Sequence, residues 1–160
     1  MSVAARTPFV ALAALAMLVS ACSSGPVKRV SPPQASLSQL TVQADGQWQL
    51  DLRLQNFSSM AMRFESVQLE LHSGNELIAN LNAQADFVVG AESGDVYRIS
   101  AQPNAHGRLL AAHALADSQS LPYQLTGTVT AAPLEGRSRD YPLTYRSALH
   151  PAPGLPGVLR

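Results

Sequence analysis

Four histidines, several strand-borne carboxylates and one cysteine are the residues here whose types could do chemistry. His72, His106, His113 and His150 are the metal candidates. His106 and His113 stand about two helical turns apart and would share one face of a helix. Two imidazoles make no metal site without a third ligand, and no His-x-x-x-His or acid-linked pattern accompanies them. Solvated or capping roles are expected for all four, with no metal. Asp51 with Glu65 or Glu70 could face each other across strands as the acid pair of a glycosidase. Acids that alternate with apolar residues more simply mark the wet side of a sheet. Serines are abundant, but none sits in a Gly-x-Ser-x-Gly elbow. No glycine-rich loop is built to cradle phosphate. No catalytic residue, cofactor or small-molecule substrate is expected, and the chain is read as a non-enzyme. The one cysteine, Cys22, excludes an intramolecular disulfide framework and a zinc ribbon.

What surrounds Cys22 gives it a different chemistry. Arg6 is the only charge ahead of an unbroken apolar run from Phe9 to Val19. That run fits the roughly 7–15 residues of a signal-peptide core and falls short of the roughly 20 of a spanning helix. Ser20 and Ala21 are small enough for a signal-peptidase groove. Val19-Ser20-Ala21-Cys22, preceded by Leu18, resembles a bacterial lipobox. The resemblance implies cleavage before Cys22, a diacylglycerol thioether on its sulfur and an acyl chain on the new amine. A plain secretory signal would instead leave a lone thiol at an exported N-terminus. Each buried CH₂ contributes about 0.8 kcal/mol, and one myristoyl chain binds only marginally. Three chains on one residue would anchor permanently. Ser23 resembles the sorting pattern of outer-membrane lipoproteins, where inner-membrane ones typically carry Asp. The expected location is the bacterial cell envelope: anchored in the outer membrane, with the domain facing the periplasm or the cell surface.

The 11 Lys and Arg balance the 11 Asp and Glu, and signal cleavage removes only Arg6. That balance excludes a basic nucleic-acid binder. No second apolar run approaches spanning length. The expected partners are the membrane, through the lipid, and an envelope protein, with no nucleic acid.

Behind the signal peptide (1–21), residues 22–35 read as a tether. Ser23-Ser24-Gly25-Pro26 and Ser31-Pro32-Pro33 are linker composition, reaching on the order of 40 Å at most. Lys28-Arg29 is placed to touch anionic headgroups or simply to be solvated. Residues 36–146 read as an antiparallel β domain. Leu37, Leu40 and Val42 mark a first strand, and Asp45-Gly46 a hairpin turn. Trp48, Leu50, Leu52 and Leu54 then alternate with Gln49, Asp51, Arg53 and Gln55, the period of a half-buried strand. Trp48 leads this apolar face and reads as core, or as an exposed contact at the domain's end. Phe64 to Val67 breaks the alternation, predicting a bulge near Glu65-Ser66. Strands are predicted at 64–71, 77–81, 87–89, 96–99, 123–129 and 141–145. Pro142 assigns the last to a sheet edge. Asn104 followed by the Ala/Leu-rich 105–116 predicts an N-capped helix crossing between sheets. Gly107 weakens it by about 1 kcal/mol. Short strands at such spacing are the signature of a two-sheet sandwich. Residues 147–160, rich in Pro and Gly, read as a tail or as a strip laid against the domain.

The run Leu50-Asp51-Leu52-Arg53-Leu54-Gln55-Asn56-Phe57, then 64–71, then Gly74-Asn75-Glu76-Leu77-Ile78-Ala79, resembles the group 2 late-embryogenesis-abundant domain. This is also called the water-stress and hypersensitive-response domain. The family's usual Asn-Pro after the first strand is Asn56-Phe57 here. The resemblance implies an immunoglobulin- or fibronectin-like β-sandwich with one helix and no catalytic residues. It also implies a domain often carried on bacterial lipoproteins, with a role in water-stress or desiccation tolerance; the expected function is a lipid-anchored, non-enzymatic module that binds or protects envelope components. The alternative is an accessory lipoprotein of an envelope assembly or transport machine, joined by strand addition at a sheet edge.

Overall fold

A computed structural model describes residues 28–160. The chain runs β1 (Gln34–Val42), β2 (Trp48–Gln55), β3 (Met62–Ser73), β4 (Glu76–Val89), β5 (Gly94–Ala101), α1 (Ala105–Ala116), β6 (Leu121–Pro133), β7 (Arg139–Leu149) and β8 (Val158–Leu159). Two four-stranded antiparallel sheets result, ordered β5-β2-β1-β8 and β4-β3-β6-β7. The fold is the expected all-β sandwich, with α1 crossing from the first sheet to the second.

Alternation builds each layer. Trp48, Leu50, Leu52 and Leu54 of β2 are fully buried, as are Phe64 and Val67 of β3 and Leu125 and Val129 of β6. Trp48 is thus core, and its indole N–H is buried without a hydrogen-bond partner among the described residues. The predicted bulge falls at Glu65, where the register of β3 shifts against both neighbours.

Two tyrosines close the corners between the sheets. Tyr123 of β6 accepts from the Leu37 N–H of β1 at 3.0 Å and donates to the Leu37 carbonyl at 3.4 Å. Burial pushes its phenol above the ordinary range, against a smaller opposing effect of the Leu37 backbone hydrogen bond. At the other corner Tyr97 of β5 donates to the Gln84 carbonyl at 2.9 Å and stacks on Phe87, which stacks on Phe64.

Three expectations need correction. The strands expected at 77–81 and 87–89 are one strand, β4. Its period is disguised because Ala85 and Asp86 together oppose Glu65, and Asp86 takes a φ of 35°. The second half of the expected tether belongs to the domain: Pro33 is buried and Ala35 lies inside β1. Of the two readings of residues 147–160, the strip laid against the domain holds and the tail does not. Leu149 ends β7, and Val158–Leu159 pairs with Leu40 and Thr41 of β1. Leu159 is fully buried, so apolar burial and ladder bonds hold this strip to the first sheet.

Candidate functional site

Val19, Ser20, Ala21 and Cys22, the expected peptidase and lipidation residues, lie outside the described residues. The histidines scatter. His72 pairs with Glu70 at 3.0 Å, His106 with Glu76 at 3.0 Å, and His113 with Asp117 at 3.6 Å. His150 opens the C-terminal strip, where its backbone pairs with Arg160. Among the described residues no three His, Cys, Asp or Glu side chains come together. The carboxylates scatter as well. Asp51, in the first sheet, takes two hydrogen bonds from Arg98, at 2.7 and 3.2 Å. Those bonds and the carboxylate's charge hold the guanidinium above its ordinary pKa. Glu65, in the second sheet, accepts from Ser138. Glu70, in that same sheet, faces His72. Asp51 therefore faces neither Glu65 nor Glu70 across a strand pair.

One polar constellation escaped the sequence reading. It lies at the end of the sandwich where the chain enters, here called the near end. Asn56 is fully buried after β2. Its amide donates to the carbonyls of Met60 (2.9 Å), Val89 (3.3 Å) and Gly90 (2.8 Å), and its Oδ1 accepts from the Ser58 N–H at 2.8 Å. Buried Ser58 accepts from the Ser31 N–H through Oγ. Ser59 accepts from the Arg29 N–H, and its own N–H donates to the Arg29 carbonyl. The knot ties residues 29–31, 56–60 and 89–90 together. The bonds named here all run within the chain, so the chemistry they show is structural. The signal that could have found it is an Asn directly after an alternating strand, followed by two serines.

The opposite, far end is closed by carbon. Asn104 caps α1: its Oδ1 accepts from the Gly107 N–H, and its Nδ2 donates to the Leu77 carbonyl. Gly107 lets the helix settle onto the core. A Cβ there would stand 2.9 Å from the Ile78 carbonyl and 3.2 Å from the Trp48 ring. The glycine that weakens the isolated helix is thus what seats it. Between the later half of α1 and the C-terminal strip runs an open groove of about 870 Å³. Leu115, Ala112, Pro151, Pro153 and Leu155 wall it, and His150 is its one titratable side chain. Such a groove offers apolar surface to an apolar or Pro-rich segment, and no acid–base pair. A smaller pocket of about 390 Å³ at the near end lies among Lys28, Met60, Pro133 and Leu134.

No family model matches the chain, and no curated protein matches it. Solved structures do. The solution structure of AT1g01470 from Arabidopsis thaliana is 11% identical over 82% of this chain and 89% of its own, with a TM-score of 0.51. A second solution structure, described as that of a candidate late embryogenesis abundant (LEA) protein, is 15% identical over 88% of this chain and 81% of its own, at 0.48. A candidate ApaA protein from Bordetella pertussis is 13% identical over 81% of this chain and all of its own, also at 0.48. At these identities the likeness is one of fold: the chain shares its β-sandwich with the Arabidopsis protein.

Proposed function

We propose that this protein is a lipid-anchored, non-enzymatic component of the bacterial envelope whose β-sandwich binds or protects envelope components under water stress. The observation that carries the non-catalytic part is the dispersal of its reactive groups. Each carboxylate and histidine named above is spent in a local pair or stands apart, and the far-end groove is lined mainly by alanine, leucine and proline. The lipobox-like Val19-Ser20-Ala21-Cys22 supports the anchor. The resemblance to group 2 late-embryogenesis-abundant domains supports the stress role, and the sandwich with a crossing helix agrees with it.

Metabolic palmitate labelling tests the anchor. Label on the wild type and none on Cys22→Ala is expected, and an unlabelled wild type overturns it. Survival of a deletion strain after drying, with and without restored wild-type protein, tests the stress role. Equal survival of deletion and wild type overturns it.

The second reading is an accessory subunit recruited by strand addition. The edges of the second sheet argue against that route there, whereas β5 and β8 edge the first sheet. Asn104 bonds to the carbonyls of Leu77 and Ile78 at the start of β4, the Asp86 irregularity interrupts it near its end, and Pro142 interrupts β7. A stoichiometric complex on gentle solubilisation would favour the subunit reading, with the far-end groove as its contact.

A further inference from the structure

We infer that the near end of the sandwich rests on the bilayer that holds Cys22, with Val30, Phe57 and Leu134 entering the headgroup layer. This rests on the proposed acylation of Cys22. The first argument is chain length. The knot clamps Arg29 and Ser31 through paired backbone and serine bonds, so the chain is fixed to the domain at Arg29 at the latest. From Cys22 to Arg29 the chain reaches roughly 25 Å even fully extended. The domain therefore cannot swing far from the surface.

The second argument is what faces that surface. Val30, Phe57 and Leu134 are 40%, 43% and 54% exposed. They sit together: Arg29 bonds the Phe57 carbonyl, Leu134 donates to Ala61, and Lys28 pairs with Glu135. Apolar side chains with Lys and Arg beside them suit the interface of a membrane. The two cations beside the apolar side chains are matched, Lys28 with Glu135 at 3.4 Å and Arg29 with Glu92 at 3.2 Å. The contact is therefore apolar, and it needs neither anionic lipid nor low salt. Its consequence is orientation. β3 has 12 residues, a rise of roughly 40 Å, so the far-end groove is presented well away from the lipid.

The test uses the acylated chain purified from membranes and reconstituted in phosphatidylcholine vesicles. An acylated Cys22 leaves no free thiol, so one added cysteine takes one fluorescent label. Arg137→Cys places it in the near-end loop, and Asn75→Cys in the far-end turn between β3 and β4. A lipid-borne quencher is expected to quench the near label severalfold more than the far one, equally at low and high salt. Phe57→Ser with Leu134→Ser should remove most of that difference while the protein still floats with the vesicles. Equal, weak quenching at both positions on floating protein overturns the surface contact alone. A wild-type Cys22 that reacts with thiol reagent and does not float overturns the anchor, and the contact with it.

Discussion

The two ends of the sandwich are sealed by different forces. At the near end a buried amide and two serines satisfy backbone groups that no ladder reaches, and the entering chain is fixed by hydrogen bonds. At the far end Asn104 sets the start of α1, and apolar contact among Gly107, Trp48 and Ile78 does the rest. Hydrogen bonds are directional and fail abruptly when one partner leaves. Apolar packing is additive and yields by degrees. The near end therefore suits a fixed attachment point. The far end, with its groove and exposed Leu109 and Leu155, suits an adaptable contact.

The sharpest way to break this contrast is Asn56→Ala. Three carbonyls and one N–H lose the Asn56 side chain, the Gly90 carbonyl keeping a second donor in the Ser93 hydroxyl, and each orphan costs about 1–3 kcal/mol. Partial rehydration recovers some of this, so a loss of about 4 kcal/mol is expected, a large share of a domain's total. Urea unfolding of the soluble domain measures it. Residues 29–31 should also become accessible to protease, because Ser58 and Ser59 are positioned by the same turn. A loss under about 1 kcal/mol would mean that the knot is incidental.

Gly107→Ala probes the other end and should cost less. Alanine gains about 1 kcal/mol of helix propensity over glycine. Against that, the new Cβ meets the Ile78 carbonyl and the Trp48 ring, and overpacking of this kind costs about 1–3 kcal/mol. A net loss of up to about 2 kcal/mol is expected, with a red shift in Trp48 emission as the helix lifts and water enters. Stabilisation would show that α1 is loosely seated and that both ends depend on polar bonds.

These sites differ in how far the sequence announced them. β2 was legible because all its information is local: Trp48, Leu50, Leu52 and Leu54 declare one face by themselves. So was α1, whose cap and Ala/Leu run are contiguous, and so was the edge position of Pro142. β4 was split because two residues oppose one at Glu65, and a period-2 reading cannot cross that step. The strip 150–160 has no period of its own. Its two-residue strand exists only because β1 offers Leu40 and Thr41 as partners. The Asn56 knot left only a local hint, an Asn after a strand with two serines behind it, because its bonds reach 33 and 34 residues along the chain and Ser58 reaches back 27. The groove joins two distant segments built of alanine, leucine and proline, residue types that advertise no chemistry.

The smallest expected effect lies at the Tyr123 corner, where one polar latch works inside apolar packing. Its phenol is held above its ordinary value of 10.0, mainly by burial. In the unfolded chain the phenol ionises first as pH rises, while the folded one keeps its proton. The unfolded state then binds fewer protons, so stability falls with rising pH. The contribution is whole below about pH 10 and is lost between that pH and the raised folded value. Denaturant titrations from pH 8 to 11 should show this decline in the wild type. Tyr123→Phe should flatten it and lower stability at neutral pH by about 1 kcal/mol, the worth of a hydrogen bond to Leu37. An unchanged alkaline slope would assign the decline to other groups and leave the corner held by packing alone, as the far end is.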